Sequence, residues 1–260
     1  MPDPEEVMFP RRKERFEDRR HERQHRKLLD EFFDHATLIT ISRLISRGAF
    51  AALDFPISTG KEGGVFRATT ADGFRAVKVY RVGNTVFRRL PPYVLEDLKR
   101  EASLSNFARL VTAWTRREHT ILGRLADAEV RAPHPFGHAR NVLVMEFIGT
   151  DGLPAPRLQS AVVGDPTAFC ADLVGQIRRM VARAGLVHGD LSPYNVLLQE
   201  ERPVLIDVAQ SIPVAHPAAR GLLERDCTNF AKYLMRLGVE TSPEEFLRAA
   251  GGDVLPVPES

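Results

Sequence analysis

The sequence predicts an α+β fold, with a strand hairpin in its first half and a long amphipathic helix in its second. Three observations carry that expectation. Val65–Thr69 and Phe74–Tyr80 alternate in character around Ala71-Asp72-Gly73, a hairpin signal. Asp165-Pro166 joins a helix N-cap to a proline at the first helical position. Phe169, Leu173, Ile177, Met180 and Val181 then recur at helical spacing until Gly185 closes the run. Between that helix and the C-terminal third, Leu186–Leu198 sets two apolar runs around a polar centre of His188, Asp190 and Asn195.

The polar centre indicates the chemistry. Asp190 and Asn195 stand five positions apart, and Asp207 ends the run Pro203-Val204-Leu205-Ile206-Asp207 twelve positions further on. A phosphoryl-transfer loop needs its parts in this order: a carboxylate to accept a hydroxyl proton, then a side-chain amide and a second carboxylate to hold Mg²⁺ against ATP. Oxygen donors suit a hard cation rather than zinc. The apolar flanks read as short strands that lock the loop into a core.

Bulk properties narrow the remaining classes. The 260 residues suffice for one large domain or a two-lobed one, and 43% hydrophobic content indicates a globular chain. A formal net charge of +2 selects no partner by itself. Cys170 and Cys227 form no CxxC pair, which argues against a disulfide framework or a thiolate zinc site and fits a reducing, cytoplasmic setting. No apolar run approaches the ~20 residues of a membrane span, and no apolar stretch near the N-terminus reads as a secretory signal.

Residues 1–27 form a charged, basic arm, with Arg11, Arg12, Lys13, Arg15, Arg19, Arg20, Arg23, Arg26 and Lys27 interrupted by acids. It reads either as a solvated helix or as an arm for an RNA backbone. His21-Glu22-Arg23-Gln24-His25 matches the HExxH pattern of zinc proteases, but the flanking arginines repel a dication and no apolar face would bury the site. Residues 28–53 read as helix, closed by Gly48. Ser58-Thr59-Gly60-Lys61-Glu62 is a turn that could bring backbone N–H groups to phosphate, but Glu62 stands where a Walker A loop needs Ser or Thr.

Lys78 lies within Ala76-Val77-Lys78-Val79-Tyr80. On a central strand it would be buried, which is costly without an anionic partner. Residues 82–113 read as a long insertion, followed by a helix from Ala113 that carries Glu118, the candidate partner of Lys78. Glu101 is a weaker rival. Asn141–Gly149 reads as a buried strand running into an extended segment, with Met145, Glu146 and Ile148 as candidate hinge residues beside a nucleotide base. Pro217 and Asp226 frame a further helix, and residues 251–260 read as a loose tail.

These residues together resemble the RIO family of atypical serine/threonine protein kinases, most nearly its type-one branch. The resemblance rests on Ser58-Thr59-Gly60-Lys61-Glu62, Lys78-Val79-Tyr80-Arg81, His188-Gly189-Asp190-Leu191-Ser192-Pro193-Tyr194-Asn195 and Ile206-Asp207-Val208-Ala209-Gln210-Ser211, and extends to His216-Pro217 and Leu222–Asp226. Gly63-Gly64 depart from the family's usual Ala-Asn. The resemblance implies a bilobal kinase-like fold: a small N-lobe with an antiparallel sheet, a mostly helical C-lobe and no conventional activation loop. The implied division is N-terminal helices and N-lobe with hinge at 28–149, and C-lobe at 150–250.

By resemblance, Asp190 is the catalytic carboxylate, Asn195 and Asp207 are metal ligands, and Ser58, Lys61 and Lys78 hold ATP phosphates while Glu118 orients Lys78. ATP and Mg²⁺ are the implied cofactors, with Mn²⁺ able to substitute. Asp207 is the residue that would carry a phosphoaspartate if the output is ATP hydrolysis. The implied partners are the pre-small ribosomal subunit and its RNA, together with the protein itself as phospho-acceptor at Ser103 or Ser105. A small-molecule phosphotransferase of the aminoglycoside or choline kinase type shares the His-Gly-Asp loop. Its acceptor pocket uses a larger helical subdomain than the fifty or so residues after Asp207 would build. A catalytically dead RNA-binding scaffold is a third reading, opposed by the presence of Lys78, Asp190, Asn195 and Asp207.

Overall fold

The computed structural model describes residues 33–60, 63–82, 90–101 and 107–255. The chain divides into two compact units. One runs to His119 and adds Pro135–Phe147; the other takes Thr120–His134 and continues from Ile148.

The first unit is built on a five-stranded sheet with strand order β1-β2-β3-β5-β4, all neighbours antiparallel: β1 (Ala52–Thr59), β2 (Gly63–Thr70), β3 (Gly73–Tyr80), β4 (Pro135–Ala139) and β5 (Val142–Glu146). The expected hairpin is β2–β3, closed between Thr70 and Gly73. One face of the sheet packs Phe66, Ala68, Val77, Val79, Val142 and Val144 against Phe33, Ile41, Leu44, Phe50 and Leu53. Ile41 and Leu44 belong to α1 (His35–Ser46), whose N-cap Asp34 accepts the Thr37 N–H at 2.7 Å. A carbon at the Cβ position of Gly63 would sit 2.3 Å from the Val79 carbonyl oxygen, so this pairing requires the glycine that departs from the family's usual alanine.

Several expected boundaries move. Helix over 28–53 is realised as α1 alone within the described residues. Gly48 adopts φ 75°, the Ala49 N–H bonds Leu44 O, and the chain turns into β1. β1 escaped the sequence reading because it is an edge strand interrupted at Pro56, with register shifts on both sides of that proline. The expected insertion holds α2 (Pro92–Glu101), anchored by buried Leu90, Val94 and Leu98. The following helix, α3 (Phe107–Asp127), begins before the expected Ala113. Strand β4 was not anticipated.

The second unit is mostly helical. α4 (Pro166–Ala182) starts where Asp165 accepts the N–H groups of Thr167 and Ala168, and it buries Phe169, Leu173, Ile177, Met180 and Val181 as expected. Short pairs follow: β6 (Gly149–Thr150) with β7 (Leu153–Pro154), β8 (Leu186–Val187) with β11 (Ile212–Pro213), and β9 (Val196–Gln199) with β10 (Arg202–Leu205). α5 (Ala219–Arg236) buries Phe230 and Leu234. α6 (Pro243–Ala249) starts on a capping box between Ser242 and Glu245. Residues 251–255 are not loose: Leu255 is buried, and Arg220 reaches the carbonyls of Gly252 and Leu255 at 3.4 Å. Among the described residues no helix is long and apolar enough to cross a membrane.

Candidate active site

In the first unit, Lys78 stands on β3, flanked in register by Val65 of β2 and Leu143 of β5. Its side chain is 13% exposed and that of Glu118 is 2% exposed. An ammonium and a carboxylate so far from water persist only when paired, and Lys78 Nζ lies 2.7 Å from Glu118 Oε1. The expected partner is thus the observed one. The side chain of the rival, Glu101, lies outside the described residues. Tyr80 follows two positions after Lys78, so strand alternation puts both on one face. Its hydroxyl donates to Glu118 Oε2 and its ring lies 5.0 Å from Lys78 Nζ. The sequence reading gave Tyr80 no role beyond membership of a motif.

In the second unit, the expected short strands β8 and β9 hold the catalytic-loop candidate between them. Asp190 is exposed and Asn195 half-buried. The Asn195 amide nitrogen donates to the Asp190 backbone oxygen at 2.8 Å and to its carboxylate Oδ2 at 3.1 Å. With its nitrogen committed there, Asn195 has its Oδ1 as the atom suited to a cation. The backbone N–H of Asp190 lies 3.3 Å from His188 Nδ1. An N–H can only donate, so Nδ1 accepts and the proton sits on Nε2, which meets Ile206 O at 3.1 Å. Ile206 N–H in turn donates to Asn195 O at 3.0 Å.

Asp207 is the next residue, half-buried, with φ 58° and ψ 45°. Aspartate tolerates this left-handed region better than most residues, and such conformations gather at functional sites. Asp190 and Asn195 therefore meet directly, and Asp207 follows a residue tied to their loop at two points.

Asp226 is the residue the sequence reading underestimated. It was read as framing a helix, yet it is 1% exposed and its Oδ2 accepts the Gly189 N–H at 2.9 Å. Arg225 donates to Gly189 O and to Asp226 Oδ1. Both backbone groups of the residue preceding Asp190 are thus held from α5. Burial pushes the Asp226 carboxyl above the usual carboxylate range, opposed by His188, the Leu191 N–H and Arg225.

The remaining candidates are distributed as follows. Ser58 lies on β1 opposite Val65, and the Gly60 N–H bonds Gly63 O at 2.9 Å across the turn. Lys61 lies outside the described residues, as do Ser103, Ser105 and the arm at 1–27 with His21 and His25. Met145 is buried on β5 opposite Ala76, and Glu146 ends the strand opposite Arg75. Ile148 is buried, and its carbonyl is engaged by the Ala155 N–H at 3.0 Å. Among the described residues no group of three or more His, Cys, Asp or Glu side chains could hold a metal on its own. An Asn–Asp pair completed by phosphate oxygens and water is the type of site Mg²⁺ accepts.

The antiparallel sheet with its close Lys–Glu pair, and the helical unit with its Asp–Asn loop, define a kinase-like α+β protein. The RIO domain pattern matches residues 64–246. The Rio1 serine/threonine-protein kinase of Haloferax volcanii is 39% identical over 87% of this chain and 78% of its own length. That of Methanocaldococcus jannaschii is 32% identical, over 90% and 81%. The human RIO1 kinase is 34% identical over 82% of this chain but only 39% of its own length. Two structures of the Chaetomium thermophilum Rio2 kinase share the fold with TM-scores of 0.65 and 0.64, at 24% and 21% identity; one is an ADP/Mg²⁺-phosphoaspartate complex. They match 82% and 83% of this chain, which spans 66% and 65% of their length. The chain belongs to the RIO family of serine/threonine-protein kinases.

Proposed function

We propose that this chain transfers the γ-phosphoryl group of ATP to a serine or threonine hydroxyl, with Asp190 as the proton acceptor. The observation that carries this reading is the state of Asp190: exposed, yet fixed through its backbone by His188 and through its carboxylate by Asn195. In the transfer, the acceptor oxygen forms the new P–O bond, the bond from the γ-phosphorus to the β,γ-bridging oxygen breaks, and ADP leaves. The hydroxyl proton passes to Asp190. Lys78, paired with Glu118, would stabilise phosphate charge, and the glycine-rich turn after Ser58, with Lys61, would supply further phosphate contacts.

Asn195 Oδ1 and Asp207 are the donors for Mg²⁺, or for Mn²⁺ in its place. A metal there neutralises charge on the phosphates. Met145, Glu146 and Ile148 supply the segment beside the base.

Where the output is hydrolysis, an Asp207 carboxylate oxygen would take the γ-phosphoryl group as its bond to the β,γ-bridging oxygen breaks and ADP leaves, and water would then split the acyl phosphate into free phosphate and the carboxylate. Incubation with γ-labelled ATP and Mg²⁺ tests the reading. Label on the protein and release of free phosphate separate kinase from ATPase output. Asp190→Asn is expected to cut turnover steeply while leaving nucleotide binding, and undiminished turnover in that variant sinks the assignment.

The family resemblance supports a cytoplasmic setting and a role in small ribosomal subunit maturation. The arm at 1–27 would then engage the RNA backbone, and Ser103 or Ser105 would be the autophosphorylation sites. Binding to precursor small subunits with and without residues 1–27 tests the first role, with steep loss of affinity at higher salt as the expected signature. Mapping the labelled residue tests the second.

A further inference from the structure

We infer that Tyr80 is a positioning residue for the active site, holding the Glu118 carboxylate through its hydroxyl so that Glu118 can hold Lys78. The inference deepens the reading above and rests on it for the role of Lys78. Glu118 has two carboxylate oxygens, and each has its own donor: Lys78 Nζ at Oε1 and Tyr80 Oη at Oε2. One donor alone leaves a carboxylate free to rotate about its terminal torsion, which is broad and roughly two-fold. Two donors on opposite oxygens fix the plane of the group and the place of the lysine. Tyr80 adds a second restraint through its ring, whose face lies 5.0 Å from the ammonium.

Tyr80 is itself held on both sides of its backbone. Its N–H donates to Asn141 O at 2.9 Å, and the Asn141 side chain donates to Tyr80 O at 2.8 Å. The same Asn141 nitrogen donates to Thr37 Oγ1 of α1 at 2.8 Å. Tyr80 and Asn141 are each 2% exposed. The backbone bond from Tyr80 to Asn141 extends the β3–β5 register one pair beyond Val79 and Val142, and the Asn141 side chain ties that end of the sheet to α1 through Thr37. This interior polar chain ends at the charged Lys78–Glu118 pair. A tyrosine needed only for packing would not require its hydroxyl there.

The test compares Tyr80→Phe, Glu118→Gln, the double variant and Lys78→Ala in the full chain, reading ATP turnover against pH alongside thermal melting. Phenylalanine keeps the ring and loses only the donor. Tyr80→Phe is expected to lower kcat/KM about tenfold, the fold-change that loss of a hydrogen bond to a charged group corresponds to. Its acid limb is expected to move to higher pH, because a carboxylate deprived of a donor holds its proton longer. In the double variant the hydroxyl's loss is expected to add nothing to Glu118→Gln. If Lys78→Ala is inactive but Tyr80→Phe is equally harmful with and without Glu118, or leaves the acid limb in place, this inference falls alone. If Lys78→Ala turns over normally, the active-site reading falls and takes the inference with it. Where turnover of the double variant is too low to measure, the acid limb of Tyr80→Phe decides.

Discussion

The two charged centres of the molecule are built on opposite plans. Lys78 is held inside the first unit, its charge met by Glu118 and its neighbour Tyr80 committed to the same carboxylate. Asp190 is exposed in the second unit, its charge met by the amide of Asn195, while its backbone is pinned from behind by His188 and by the Asp226–Arg225 clamp on Gly189. The difference follows from the tasks proposed for them. A group that stabilises phosphate charge gains from a site without water, where its field is stronger and already oriented. A group that takes a proton from an incoming hydroxyl must be reachable, so its rigidity has to come through the backbone. Function and stability should therefore separate at Asp190 and coincide at Lys78.

The largest expected effect breaks function alone. Asp190→Asn removes the proton acceptor and should cut phosphoryl transfer about 10²–10⁴-fold. Since the side chain is exposed, its urea midpoint should stay near wild type. A large loss of stability would contradict the comparison. Lys78→Ala should break both. It strips the ammonium from a carboxylate that is 2% exposed, and removing one partner of such a pair costs about 3–5 kcal/mol. A denaturation series alongside turnover checks it. Turnover lost with stability intact would mean that Lys78 is better solvated than its burial indicates.

How legible these centres were differs in the same way. Lys78, Asp190, Asn195 and Asp207 could be read because residue type and spacing carry them: a lysine among valines and a fixed interval from aspartate to asparagine. Glu118 could be named because the chemistry demanded an acid on the next helix. Tyr80 and Asp226 could not be assigned, because their roles lie in contacts across 38 and 37 positions that no local pattern encodes. In the fold, α4 was legible through its cap and its stripe. The β9–β10 turn was not. Glu200 and Glu201 take φ 51° and 61°, a conformation that usually announces itself with asparagine or glycine. β1 was hidden by Pro56, and α2 by a stretch that composition alone marks as irregular.

Asp226 sharpens the comparison from the other side, since it supports the exposed site from a buried position. Asp226→Asn sets an amide nitrogen or a single oxygen against the donors Gly189 N–H, Leu191 N–H and Arg225, and should cost about 1–3 kcal/mol. Burial raises the folded-state value of this carboxyl, so the folded chain keeps its proton to higher pH than the unfolded chain does. Its contribution to stability is fully present below the unfolded carboxyl value. It declines as pH rises from there through the raised folded value. Urea midpoints of wild type and variant across that window should converge as pH rises, and parallel curves would remove Asp226 as the titrating group.

The smallest effect lies in the first unit and has the opposite sign. His119 of α3 follows Glu118 directly, and its ring stands 4.9 Å from that of His138 on β4. Desolvation lowers both histidines below the ordinary 6.5, and His119 and Arg116 lower His138 further. The unfolded chain therefore takes up these protons first. Stability from this pair is present above about 6.5 and is lost as pH falls through 6.5 toward the depressed folded values. Protonating either ring sets a cation beside the other and beside Arg116, on the same helix that carries Glu118. His138→Gln should flatten the acid slope of the melting midpoint below that pH. Because His119 neighbours Glu118, it should also retain more Lys78-dependent turnover at mildly acidic pH than wild type does. A flattened melting slope with no change in turnover would confine the pair to the fold. Both changing together would show that Lys78 depends on the packing of α3 against β4.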